Sequence, residues 1–513
     1  MQNNPASKSL GNDFLRSDRF LHILFTVLLL IPVLIWPTIP SQDIPNHSAR
    51  AFILSHMDGF SNLYQRVLFP PPPYLLLDVL GTALAKFLPL VITGKILFAI
   101  QILCIPLAFT LLSRLFHRKK SNWEYCGYIL AYNSISGFGF ANFLMVIALV
   151  IVSITVLEKL SPSPIKVVAA SIVLVSLIVL THLTGLLLFF FFYGIILANK
   201  VRVGEQTLKD AGRQLLLCFL GSLPSWFYYK KITSVYAGFP TFFSTLKLKL
   251  LIIPNALNFD ASWIWKLCGI ILLGAVIYAV SRKSLRSKPV LLIAATITFL
   301  LFAVSPTGSM SGTCVDVRLG LFAIVVALAA LTGDSPKFKP FFGGVLAIQT
   351  LYLCYASFAY RSEYTKISDT LAQVQTGDLV FSVAGSDVHD LRTMSFDPTI
   401  MNYPVLDLVQ RHIYSGSVFA IPWQQPMVFK EKVIKNQPSI EPVGNSEDVT
   451  PNIKMLRETA EASDYVFKAG HSAWLFVVKR PETTVTSSEG TLVATSDRWI
   501  LFKVSPPNSV KTL

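Results

Sequence analysis

Three residues able to do chemistry crowd into one octapeptide, Asp43-Ile44-Pro45-Asn46-His47-Ser48-Ala49-Arg50, a few residues after the first apolar stretch, 21–36. A carboxylate there can serve as a general base, and a neighbouring arginine or histidine can hold a phosphate. If the chain is helical from Pro45 onward, His47, Arg50 and Leu54 lie on neighbouring faces. Pro45 then takes a favoured first-turn position and Asp43 can cap the helix. Base and cap both fit the spacing, so the motif draws its force from where it sits.

Other polar groups stand in apolar surroundings. His182, in Leu180-Thr181-His182-Leu183-Thr184-Gly185, falls at the tip of a hairpin of apolar stretches. An ionisable side chain at that depth marks a functional site, unless a neutral histidine simply bonds two helices together. Asp316 and Arg318, in Cys314-Val315-Asp316-Val317-Arg318-Leu319, open another apolar stretch. Arg318 can grip a lipid phosphate bidentately, snorkel to the headgroups, or pair with Asp316. The glycines and Asn142 of Ser136-Gly137-Phe138-Gly139-Phe140-Ala141-Asn142-Phe143 mark a tight turn that packing alone would also explain. Nearer the carboxyl terminus, His389, Asp390, Arg392, Asn402, Tyr403, Arg411 and His412 follow no recognisable spacing and read as solvated surface.

Absent motifs narrow the chemistry. No Gly-x-x-x-x-Gly-Lys-Ser/Thr occurs, which argues against ATP-driven transport by this chain, and no His-Glu-x-x-His, Gly-x-Ser-x-Gly or Asp-Phe-Gly is found. The six cysteines form no Cys-x-x-Cys pair, and none follows Arg361. Neither a disulfide framework nor a metal site can be read from them.

The elements that must position these residues are membrane spans. Of 513 residues 53% are hydrophobic and only 14% charged, against about 25% charged in soluble domains. A bilayer core about 30 Å thick needs roughly 20 apolar residues. Candidate spans are 20–37, 96–116, 123–137, 140–157, 165–181, 184–199, 213–229, 263–281, 289–304, 318–333 and 340–358. This is a polytopic α-helical membrane protein with about 11–13 transmembrane helices. Residues 74–92 carry Asp78 and Lys86 and follow Phe69-Pro70-Pro71-Pro72-Pro73. They are expected to dip into the outer interface, a true crossing being the alternative. The first span lacks a cleavage signal and reads as a signal anchor.

Residues 361–513 hold 15 Lys+Arg against 17 Asp+Glu, so 29 of the 44 basic residues but only 12 acidic ones lie in the first 360. The net charge of +15 therefore belongs to short membrane loops, whose basic clusters stay cytoplasmic, and not to a nucleic-acid-binding face. The expected order is a cytoplasmic tail, 1–19, a transmembrane domain, 20–360, with its first outer loop at 38–73, and an extracytoplasmic α/β domain, 361–513. Strand-like runs begin at Asp378, Trp474 and Trp499, 449–462 reads as a helix, and 435–451 reads as a loop. The protein is expected in the cell membrane, amino terminus inside and carboxyl terminus outside.

With its early outer-loop acid in Ser41-Gln42-Asp43-Ile44-Pro45-Asn46-His47, its proline-led Phe69-Pro70-Pro71-Pro72-Pro73-Tyr74-Leu75-Leu76, its Gly139-Phe140-Ala141-Asn142-Phe143 turn, its His182 hairpin and its terminal domain, the chain resembles the GT-C superfamily of integral-membrane glycosyltransferases, above all its bacterial members. The resemblance implies transfer of a sugar from a polyprenyl-phosphate carrier to a glycan, lipid or protein acceptor at the outer face, usually with inversion. It implies Asp43 as the catalytic acid of the first loop. Arg318 and then Arg50 are the candidates to stabilise the leaving phosphate, with His47, His182 and Asp316 as further substrate-binding candidates. Many members carry adjacent acids in this loop, whereas Gln42 precedes Asp43. That departure leaves the use of a divalent cation open. The competing readings are a non-catalytic transporter or assembly partner for envelope polysaccharide or lipid, and a glycan polymerase or ligase relying on outer-loop arginines. Coupled transport would need acids near the midplane, and the expected span interiors hold almost none.

Overall fold

A computed structural model describes residues 18–67, 72, 74–161, 163–235, 241, 243–260, 262–306, 315–384, 403–415, 426–429, 446–462, 466–468, 470–479 and 484–506. The first 17 residues, Phe69 to Pro71, Pro73, Cys314, His389, Asp390, Arg392, Asn402 and 435–445 lie outside them.

Among the described residues seven helices are long and apolar enough to cross a bilayer, which makes this a polytopic helical membrane protein. They are α1 (Asp18–Ile35), α4 (Leu90–His117), α5 (Ala141–Leu160), α6 (Pro164–Thr181), α7 (Thr184–Arg202), α9 (Trp263–Ser281) and α12 (Phe338–Leu371). Between them lie α2 (Ile44–Ser55), α3 (Leu75–Ala85), α8 (Leu208–Val235), α10 (Pro289–Val304) and α11 (Val315–Ala329). Burial separates the centre from the rim. In α4, 61% of the apolar window is buried inside the protein, against 22% in α9. The first is the bundle's axis; the second presents Ile270, Leu273 and Ile277 outward, as a lipid-facing helix should. Proline starts α6 and α10 in their first turns, where its missing N–H breaks no helical bond.

The expected count of 11–13 membrane helices is not reached by long apolar helices. One expected span, 123–137, is not a continuous helix. It breaks into a 3-10 turn Asn122–Tyr125, a single turn Cys126–Ile129 and a short helix Ser134–Phe138. Asn133 cuts the run, its side chain accepting from the Ser136 N–H while the Ser136 hydroxyl accepts from the Asn133 N–H. The segment still runs the length of α1. Tyr125 Oη bonds the Asp18 carbonyl at one end, Tyr132 Oη donates to the Leu29 carbonyl at 2.8 Å, and Phe138 lies against the loop that follows α1. Irregular backbone survives at this depth only where protein encloses it, and residues 123–138 are buried throughout. Core burial leaves the same apolar signature as lipid exposure, hence the misreading.

The 11 residues of α3 span about 16 Å, too short to cross, and α4 begins anew at Leu90, so 74–92 is not one spanning helix. At the other end of the chain, α12 has 34 residues and runs unbroken through Arg361. Its last turns carry Ile367 and Leu371 into a second core with Trp474, Phe476 and Leu501. The terminal sheet is built from β2 (Leu379–Ala384), β3 (Tyr414–Ser415), β5 (Ala473–Val478), β6 (Thr491–Thr495) and β7 (Trp499–Val504), in the order β6-β7-β5-β2-β3. β6, β7 and β5 pair antiparallel, while β2 runs parallel to both β5 and β3. Buried Asp378 fastens β2 to β5, taking the Ser472 N–H at 2.7 Å and the Trp474 indole at 2.8 Å. Helices Tyr403–Gln410 and Thr450–Ala462, α13 and α14, complete the domain.

This domain sits on the first loop. β1 (Tyr64–Arg66) pairs antiparallel with β4 (Met427–Phe429). Tyr64 donates to the Ser415 carbonyl at 2.7 Å, His412 stacks on Phe60, and α13 packs on α2. Phe138 belongs to the second core. The terminal domain therefore lies at the end of the bundle that carries Asp43.

Candidate active site

Asp43 stands at the N-cap position of α2, with Pro45 in the first turn, yet its side chain makes no capping bond. Its backbone is held instead. The Asp43 N–H donates to the Phe138 carbonyl at 3.0 Å and the Gln42 N–H to Gly137 at 2.9 Å, while Gln101 ties the Ser136 carbonyl to α4. Gly139, at φ +81°, completes the turn so closely that a Cβ would stand 2.6 Å from Ser41 Oγ and 2.8 Å from Asp43 N. Only glycine meets both demands. The acid loop and the glycine turn are thus one structure.

The Asp43 carboxyl is 7% exposed and its Oδ1 has no hydrogen-bond partner among the described residues. Burial raises its pKa to about 7, against the opposing pull of the Arg318 and Arg50 charges. Three residues on in α2, Asn46 is fully buried with neither amide atom partnered, and Asn142 Oδ1 on the first turn of α5 is likewise unpaired. Leaving such groups bare costs about 1–3 kcal/mol each. A cluster of them beside one acid suits a ligand rich in hydroxyls.

Arg318, one turn into α11, lays its guanidinium over the Phe140 ring, 4.2 Å from the centroid. Its Nη1 donates to His182 Nε2 at 3.2 Å. Because Arg318 can only donate, Nε2 accepts from it, while Nδ1 lies 2.8 Å from the Thr184 hydroxyl and 3.3 Å from the Thr184 N–H. His182, in the turn between α6 and α7, is kept neutral first by burial and then by the Arg318 charge. Tyr74 meets the His182 ring edge-on at 4.9 Å and adopts φ +72° at the start of α3. That strain, unusual away from glycine, is the kind that clusters at functional sites. Asp316 is buried and accepts the Val317 N–H at 2.9 Å. Arg318 Nε is buried and has no partner among the described residues.

His47 and Arg50 point into a different network. Arg50 is fully buried and bonds Asp78 Oδ1 on α3 through Nε at 2.9 Å and Nη2 at 2.7 Å. Its Nη2 also donates to His47 Nδ1 at 2.7 Å. Burial lowers the His47 pKa, so the ring stays neutral beside the guanidinium. This pair locks α2 to α3, and the Arg50 charge also reaches Asp43. The structure brings Asp43, His182 and Arg318 together around the 136–143 turn, and sets His47 and Arg50 behind the acid. Tyr74, Asp78 and Asn46 were not singled out as site residues by sequence; only the charge on Asp78 in an apolar run hinted at a buried partner.

No group of three or more His, Cys, Asp or Glu side chains that could hold a metal occurs among the described residues. Around Asp43 the donors are one carboxylate and two amides, a poor set for a divalent cation. Compared with protein-family models, curated proteins and solved structures, the chain finds no match, and its site is read from its own geometry.

Proposed function

We propose that the chain is a membrane glycosyltransferase of the GT-C kind, with Asp43 as general base, working at the outer face beneath an extracytoplasmic terminal domain. One observation carries the reading: Asp43 caps nothing, is buried with an unpartnered oxygen, and titrates near pH 7 within reach of the Arg318 charge. A base poised at the working pH combines the ionised form with useful driving force.

In the reaction Asp43 takes the proton of an acceptor hydroxyl as its oxygen attacks the sugar's anomeric carbon. The bond from that carbon to the carrier phosphate breaks, and its electron pair stays with the phosphate. Arg318, a permanent planar cation, meets the charge that develops there. Neutral His182 holds the guanidinium by accepting from it, and Asn46 and Asn142 offer hydrogen bonds to hydroxyls. Attack opposite the leaving phosphate inverts the anomeric centre. Arg50, already paired with Asp78, is the weaker phosphate ligand.

Cells lacking the protein should accumulate one polyprenyl-phosphate sugar and lose one envelope glycan. The natural chain should restore the glycan and Asp43→Asn, expressed equally, should not. Full restoration by Asp43→Asn would sink the base assignment. Restoration by that variant but not by Arg318→Ala would favour an arginine-dependent polymerase or ligase.

A further inference from the structure

A polar cleft lies at the end of the bundle away from Asp43. From the Asp43 turn, α5 runs 20 residues, about 30 Å, before reaching it. The cleft has a volume of about 440 Å³, opens to solvent, and is bounded by the α5–α6 connection, the end of α7 and the start of α8. Its wall includes Lys200, Glu205, Gln206, Asp210, Arg213 and Gln214, over an apolar flank from Pro164 and Leu217.

The charges here do not all cancel locally. Lys200 is paired with Glu158, and Arg118 with Glu205 at 2.6 Å. Arg213 has no ion pair or hydrogen bond among the described residues. Asp210 receives only the Thr207 hydroxyl, at 2.6 Å. Two amide atoms are buried and unpartnered, Gln206 Nε2 and Gln214 Oε1. The cleft thus offers a cation and an amide N–H to an anion, and a carboxylate and an amide oxygen to a donor cation. Arg213 and Gln214 follow Asp210 at helical spacings of three and four, which sets all three on neighbouring faces of α8.

We propose that this cleft binds a phosphate ester carrying a primary amine. Arg213 and Gln206 hold the phosphate oxygens, while Asp210 and Gln214 take ammonium hydrogens. An anion alone would leave Asp210 opposed to it, and a quaternary amine has no hydrogen to give. Two sources share this chemistry: the phosphatidylethanolamine headgroup, with its chains along Leu217, and soluble phosphoethanolamine.

The test uses the full-length protein in detergent micelles, read by native mass spectrometry and thermal unfolding. Dioleoyl phosphatidylethanolamine should be retained at least about tenfold over the phosphatidylcholine and phosphatidylglycerol analogues. Asp210→Asn should erase the preference over phosphatidylcholine, and Arg213→Gln should lower retention of phosphatidylethanolamine. Both residues are exposed at the surface, so the fold should survive either change. Stabilisation by millimolar phosphoethanolamine identifies the soluble source; stabilisation by the lipid alone identifies the headgroup. Equal retention of all three lipids with no response to phosphoethanolamine, or unchanged preference in both variants, would overturn the proposal.

Discussion

The raised pKa of Asp43 has a consequence for stability that can be measured without any substrate. The carboxyl moves from an ordinary 3.8 to about 7 because burial penalises its charge. The native state therefore binds this proton more tightly than the unfolded chain, and stability falls as pH climbs from about 4 to about 7. Some three units at about 1.4 kcal/mol each place the full penalty near 4 kcal/mol at pH 8. Asn is nearly isosteric and never ionises. Asp43→Asn should match the natural protein below about pH 4, gain on it as pH climbs, and exceed its stability by up to about 4 kcal/mol at pH 8. Thermal unfolding in detergent from pH 4 to 9 measures this. An Asp43→Asn variant with the natural pH dependence, or one less stable at pH 8, would refute the buried, unpartnered carboxyl. The sign is diagnostic, since a carboxylate stabilised by a cap or ion pair would show the reverse trend. Sugar transfer, needing the ionised base, should rise with pH and level off above about 7.

Three other outcomes follow from named contacts. Arg50→Met leaves buried Asp78 without its cation and should cost about 3–5 kcal/mol, most of which Arg50→Met with Asp78→Leu should recover; chemical unfolding of the two variants decides it. Gly139→Ala places a Cβ against Ser41 and Asp43 at φ +81°, so unfolding temperature and transfer activity should both drop, by at least about 1–2 kcal/mol in stability. Arg318→Lys keeps the charge but loses the planar stack on Phe140. It should lower kcat/KM about 10–100-fold, the range of a lost charged hydrogen bond, in an assay of sugar transfer from the lipid carrier.

Much of this site was legible piecewise. Asp43, His182, Arg318 and the 136–143 turn stand out because polar and glycine residues are rare in an apolar chain. Their assembly was not legible, since backbone bonds from Gln42 and Asp43 to Gly137 and Phe138 leave no trace in residue type. Asp78 looked like strain in a would-be span because its partner, Arg50, lies 28 residues away. The strands at Leu379–Ala384, Ala473–Val478 and Trp499–Val504 fell where their runs of β-branched and aromatic residues put them. The continuity of α12 past Arg361 was masked by a drop in hydropathy where the helix leaves the bundle for a second core.

The pairing of Tyr64–Arg66 with Met427–Phe429 also sets a timetable. A chain made from its amino terminus places every membrane helix before the second strand of this pair exists. Until residues 412–415 and then 427–429 have been made, the Phe60 and Tyr64 faces have no cover from His412 or Ser415 and the first loop has no partner strand. Domains fold as they are completed, so the acid end closes only near the end of synthesis. A chain that stops early would carry the acid loop without the strand pairing and aromatic stack that fasten it from above.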